Sequence, residues 1–84
     1  MYITDEDNPR LPFLRDKTSK LTTSPGCYIM KDKMKKIIYI GKAKNLRNRV
    51  TSYFRKCQDH LPKVWKMVSH VCDYDFIVTD SEFE

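Results

Sequence analysis

The chain has no apolar run long enough to cross a membrane, and its start, with Asp5-Glu6-Asp7, lacks the basic and apolar pattern of a secretory leader. A cytoplasmic protein is expected. Cysteine is sparse: Cys27, Cys57 and Cys72 are odd in number, widely spaced and form no C-x-x-C pair, so they read as reduced thiols rather than a disulfide framework. The chain is also short. Its 84 residues hold one small domain with a modest core, which makes a piece of a longer protein a reading to carry forward.

What is present is a hydrophobic content of 40%, too high for a disordered tail, divided into strand-sized runs such as Ile37 to Ile40 and Phe76 to Val78. The net charge is +5, and the excess is local: Lys31 to Lys36 and Lys42 to Lys56 are basic while both ends carry acids. One basic face and a polyanionic partner follow from that asymmetry.

Residues 1–12 contain acids, Asn8-Pro9 and Pro12 without periodicity, and read as a flexible extension ahead of a domain over residues 13–84. Phe13 to Leu21 predicts a short helix. Thr22 to Gly26 is a turn cluster in which Gly26 permits an otherwise strained backbone. Cys27 to Met30 and Ile37 to Ile40 then predict an antiparallel hairpin. A four-residue loop over Asp32 to Lys35 sets Cys27 opposite Ile40, Tyr28 opposite Tyr39 and Ile29 opposite Ile38. One face is then aliphatic, expected toward the core, and the other displays two tyrosines.

After Gly41, Asn45 predicts the N-cap of a helix to Arg55 or Lys56 with Leu46, Val50 and Phe54 as its apolar stripe. Arg49 and Tyr53 share the edge of that stripe. Val64, Met67, Val68 and Val71 predict a second helix carrying Trp65 on its flank. Asp73 to Thr79 predicts a third strand, and Asp80-Ser81-Glu82 reads as the opening of a further helix that is cut short. The fold class expected is α+β: a small antiparallel three-stranded sheet flanked by helices.

Two phenols on one sheet face, a lysine just past a glycine and an arginine on the abutting helix suit a phosphodiester. Cations neutralise the phosphate, and a phenol orients or deprotonates water. On residue types alone, half-buried sheet tyrosines beside a solvated basic helix account for the pattern equally well.

Pro25-Gly26-Cys27-Tyr28-Ile29-Met30-Lys31-Asp32, the block from Ile38-Tyr39-Ile40-Gly41-Lys42-Ala43-Lys44-Asn45 to Arg49-Val50, Ser52-Tyr53-Phe54 and Ile77-Val78-Thr79-Asp80-Ser81 resemble the GIY-YIG nuclease domain that opens the bacterial excision-repair subunit UvrC. Cys27 replaces the middle residue of the family's name. The resemblance covers residues 13 to 84 and implies the GIY-YIG endonuclease fold, truncated at its C-terminal helix. It implies an endonuclease dependent on Mg2+ or Mn2+ that makes the 3′ incision beside a lesion in double-stranded DNA, with UvrB as partner and UvrA upstream. Carried onto this sequence, Tyr28 and Tyr39 line the site, and Tyr39 is the favoured group for activating water. Gly41 allows close backbone approach, Lys42 and Arg49 stabilise phosphate charge, and Tyr53 completes the pocket. Lys42, Lys44, Asn45, Arg47 and Arg55 are the expected DNA contacts. The family's metal-ligating glutamate is expected about one helical turn beyond Glu84, with Glu84 itself the fallback and Glu82 a helix-opening acid. No bound metal, no cutting by the isolated chain and a monomeric state are therefore expected.

Cys57, His60, His70 and Cys72 are zinc-type ligands, but their C-x-x-H and H-x-C spacings match no usual framework. Trp65 reads as core or interface rather than a base-stacking platform. Three other readings remain: another GIY-YIG class, such as a homing or stand-alone repair nuclease; a non-catalytic basic DNA-binding module; and a protein-interaction module.

Overall fold

The structure, a computed structural model, describes residues 1–55 and 58–79. Six elements follow in order: α1 (Leu11–Ser19), β1 (Gly26–Lys31), β2 (Ile37–Ala43), α2 (Leu46–Phe54), α3 (Pro62–His70) and β3 (Asp73–Val78). The three strands form one antiparallel sheet in the order β2-β1-β3. The expected α+β architecture is the one found.

The hairpin differs from expectation in its register, for two local reasons. Asp32 donates its N–H to the Lys36 carbonyl at 3.0 Å and accepts from the Lys35 N–H at 2.9 Å, and Lys35 is left-handed with φ 63°. That is a tight turn closed by one left-handed residue, a connection one residue different from the four-residue loop expected. A bulge between Met30 and Lys31 adds one more shift. Tyr28 therefore pairs with Gly41, and Tyr39 pairs with Met30. The slip is two residues, so both tyrosines keep one face and become diagonal neighbours.

That face is the core face, which reverses the expected assignment. Tyr28, Met30 and Tyr74 pack against Leu11, Leu14, Leu46, Val50, Phe54 and Val68 of the helices. Ile40 and Ile77, on the supposedly buried face, are 59% and 57% exposed. Parity fixes which side chains share a face, but only the helices decide which face is covered. Here they cover the one whose phenols are broad enough to fill the sheet-to-helix gap and whose hydroxyls find partners: Tyr74 with Thr18 at 2.8 Å, and Tyr28 with Tyr53 at 2.8 Å.

Helix α2 follows its sequence signals. The Asn45 side chain accepts from the Asn48 N–H at 3.0 Å, capping the first turn, while Leu46, Val50 and Phe54 are buried four residues apart. Its far end is closed from outside. Arg15 Nε donates to the Phe54 carbonyl at 2.7 Å, and His60 Nε2 lies 2.9 Å from the Tyr53 carbonyl, so two of the last-turn carbonyls are satisfied.

Residues 1–10 do not form the mobile extension expected. Ile3 is in the core, and the buried Asn8 side chain donates to the carbonyls of Val68 and Val71 at 2.9 and 2.8 Å, tying the segment to the end of α3. Helix α1 starts at Leu11 rather than Phe13 because Pro12 falls in its first turn, where a missing N–H costs nothing. Gly26 has no left-handed backbone. A Cβ there would lie 2.2 Å from the Ile77 carbonyl oxygen and 2.9 Å from Leu46 Cδ1, so the glycine is required by space. The helix opening expected at Asp80-Ser81-Glu82, and Cys57, lie outside the described residues.

Candidate active site

Three tyrosines meet where β1, β2 and α2 converge. The Tyr28 ring lies 6.1 Å from that of Tyr39 and 5.7 Å from that of Tyr53, centroid to centroid. Tyr28 is 1% exposed and Tyr39 is 43% exposed, so one phenol is sealed and the other reaches the surface. Burial pushes the Tyr28 hydroxyl well above the ordinary phenol range, its hydrogen bond to Tyr53 adds to the shift, and the positive charge of Arg49 opposes it without cancelling it. Burial thus favours the neutral phenol at Tyr28, whose hydroxyl is tied to that of Tyr53.

Gly41 explains how Tyr28 can lie there. A Cβ on Gly41 would sit 2.3 Å from the Tyr28 hydroxyl oxygen and 2.4 Å from Cζ. The phenol occupies the place of the missing side chain. The close approach anticipated at Gly41 is thus made by Tyr28.

Beside this cluster opens a cleft of about 950 Å³ between the end of β2, the start of α2 and the end of β3. Lys42, Lys44, Arg49 and Arg55 line it together with Asn45, Asn48 and Ser52, and among the described residues no carboxylate does. Four cations around one cleft make an anion site, and the amide and hydroxyl groups add neutral hydrogen-bonding partners for phosphate oxygens. Of the expected residues the structure gathers Tyr28, Tyr39, Gly41 and Tyr53 in the tyrosine cluster, and Lys42, Lys44, Asn45, Arg49 and Arg55 around the cleft. Arg47 is not among them. It lies on another side of α2, where Nε donates to the Leu21 carbonyl at 2.7 Å.

Sequence reasoning missed Asn48 and Ser52, although with Asn45, Arg49 and Arg55 they form a polar stripe at helical spacing that could have been read. His60, noted in the sequence only as a zinc-type side chain, takes a different place. That side chain is 7% exposed and stacks on Tyr53 with ring centroids 6.5 Å apart, behind the cluster. His70 is exposed and Cys72 is free, and no group of three metal-ligating side chains occurs among the described residues. The four-residue zinc arrangement is not assembled by them.

A model of the UvrC-like GIY-YIG domain matches residues 24–84. The chain belongs to this family. Relatives include the UvrABC system protein C of Bdellovibrio bacteriovorus, 52% identical over 71 residues, and that of Streptococcus pneumoniae, 56% identical over 71 residues; each alignment covers 84% of this chain and 11% of the relative. The chain thus spans about a ninth of the length of those relatives. Among solved structures, the GIY-YIG N-terminal endonuclease domain of UvrC from Thermotoga maritima bound to magnesium superposes with a TM-score of 0.68 at 35% identity, covering 81% of this chain and 72% of that one. A tyrosine-to-phenylalanine point mutant of the same domain, bound to the catalytic divalent cation, gives 0.70 at 34% identity, covering 83% and 73%.

Magnesium and its relatives are held by charged oxygen donors. Among the described residues the cleft offers cations, amides and hydroxyls but no carboxylate. The described residues of the GIY-YIG domain therefore do not by themselves fit a divalent cation.

Proposed function

We propose that the complete protein carrying this domain is a DNA endonuclease of the UvrABC system, which hydrolyses a phosphodiester 3′ to a lesion in duplex DNA at the cationic cleft. The observation that carries the reading is the juxtaposition of a cleft holding Lys42, Lys44, Arg49 and Arg55 with a cluster of three tyrosines, linked by Arg49. Lys42 and Arg49 receive the scissile phosphate and stabilise the charge that grows on it. Tyr39, the surface phenol of the cluster, orients or deprotonates the attacking water. Tyr28 and Tyr53 hold that geometry through their shared hydrogen bond. Lys44, Asn45 and Arg55 contact the flanking backbone, and Arg47 contributes a charge at its margin.

A Mg2+ or Mn2+ ion belongs to the complete site, with its glutamate ligand beyond Glu84. UvrB is the direct partner and UvrA acts before it; the protein works in the cytoplasm. The test uses the complete protein with UvrA and UvrB on an end-labelled damaged duplex. Arg49→Ala is expected to lower the 3′ cut by about 100-fold or more, the usual effect of deleting one preorganised transition-state donor, with the 5′ cut preserved on substrate already nicked on the 3′ side. Unchanged 3′ cutting overturns the reading.

A further inference from the structure

The charges of the domain are sorted across its sheet. On the β3 and α1 side lysines are neutralised: Lys17 pairs with Asp73 at 2.7 Å, Lys31 with Asp75, and Lys20 with Asp16 at 3.4 Å. On α3, Lys63 and Lys66 are exposed, and neither is in an ion pair among the described residues.

Lys63, Lys66 and His70 recur at intervals of three and four along α3, so they share one face of that helix. They border a groove of about 480 Å³ whose opposite wall is Asp32 and Ile38. Asp32 makes no ion pair with them among the described residues, and its Oδ1 accepts the N–H groups of Met34 and Lys36 in the turn. Ile38 in this groove and Lys42 in the cleft lie four residues apart on β2, about 13 Å at strand rise. That distance is about four steps of a duplex, whose strands each present one phosphate per roughly 3.4 Å of axis.

We infer that the α3 face of Lys63, Lys66 and His70 is a second phosphate-contact surface that grips duplex DNA next to the cleft. The inference rests on the reading that the cleft takes DNA, and adds a surface that fixes the course of the backbone past the scissile bond. Its contacts carry no chemistry. They set affinity and salt dependence.

The test measures binding of the complete protein to duplex DNA against salt, for wild type and for Lys63→Gln/Lys66→Gln. The slope of log K against log salt is expected to fall by about 2, and affinity at 0.1 M salt roughly 10-fold or more, because each phosphate contact contributes about 0.9 to that slope. Incision at saturating protein stays at the wild-type rate. Lys63→Glu/Lys66→Glu should weaken binding further, with the same thermal unfolding midpoint as wild type. Lys20→Gln is the control for net charge alone, since Lys20 is exposed but paired. Unchanged slope and affinity in the double variant overturn the inference, as does an equal fall with Lys20→Gln. Loss of the 3′ cut in Arg49→Ala alongside an unchanged slope in the double variant removes only this inference. An intact 3′ cut in Arg49→Ala alongside a reduced slope removes only the catalytic reading.

Discussion

Gly41 faces Tyr28 directly across the β1–β2 ladder, and the phenol fills the volume that any other residue at position 41 would claim. The glycine and the tyrosine of the two halves of the motif are thus one packing unit, and the sealed hydroxyl that meets Tyr53 depends on it. Gly41→Ala forces overlap with ring atoms held by the strand and α2. It is expected to destabilise the domain by about 1–3 kcal/mol, the usual range for overpacking. In a Tyr28→Ala background the same substitution should cost much less. Denaturant midpoints for the four members of this cycle check the coupling, and equal costs in both backgrounds would refute it.

The cluster separates stability from chemistry. Tyr53→Phe leaves the buried Tyr28 hydroxyl without its partner, and about 1–3 kcal/mol of stability should be lost, the penalty for an unsatisfied buried polar group. Tyr39→Phe removes a hydroxyl from a ring that is 43% exposed and should leave the unfolding midpoint nearly unchanged. Its effect falls on the 3′ cut instead, which is expected to drop by about 100-fold or more as a positioned acid–base group is lost. A Tyr39→Phe protein that unfolds early but cuts normally would invert both assignments.

Much of this site could be read in the sequence because its signals are local. Asn45 before Leu46 marks the helix start, Leu46, Val50 and Phe54 mark the buried stripe, and Arg49 and Tyr53 follow from helical spacing. What could not be read depends on contacts between elements. The left-handed Lys35 and the bulge beside Met30 moved the register, and the helices chose the tyrosine face of the sheet. Asn8-Pro9 resembles a loop, yet the Asn8 amide is spent on carbonyls sixty residues away.

That long-range tie gives a stability prediction for a segment that composition marks as dispensable. Asn8→Ala removes both donors to the Val68 and Val71 carbonyls inside a buried site. A loss of about 2–4 kcal/mol is expected, from two net hydrogen bonds and the desolvated Val71 carbonyl, the Val68 carbonyl keeping the Val71 N–H. Thermal unfolding of the variant checks it, and a midpoint within error of wild type would mean that the segment is not docked.

Stability should also fall in alkali more steeply than an average tyrosine content implies. Burial holds the phenols of Tyr28 and Tyr74 above the ordinary value, more strongly for Tyr28. A pKa raised by folding contributes stability that is complete below the unfolded value of about 10 and is withdrawn as pH climbs toward the folded value. Phenolate absorbance should therefore show these two groups ionising only as the chain unfolds. The Tyr28→Phe variant should lose stability less steeply with pH above about 10. An unaltered slope in that variant would place the Tyr28 hydroxyl in water.

His60 joins the stability of α2 to the placement of Tyr53. It stacks on the Tyr53 ring and hydrogen-bonds the Tyr53 carbonyl in the last turn of the helix. His60→Phe keeps an aromatic ring and removes the hydrogen bond, so it should destabilise by about 1 kcal/mol. His60→Ala removes both and should destabilise by roughly 2–4 kcal/mol. Because Tyr53 fixes Tyr28, both variants should also slow the 3′ cut by a few-fold while leaving DNA affinity as it is. Stability and cutting unaffected in His60→Ala would show that α2 holds Tyr53 without support from behind. Weakened DNA binding with normal cutting would place His60 at the substrate surface instead of behind the site.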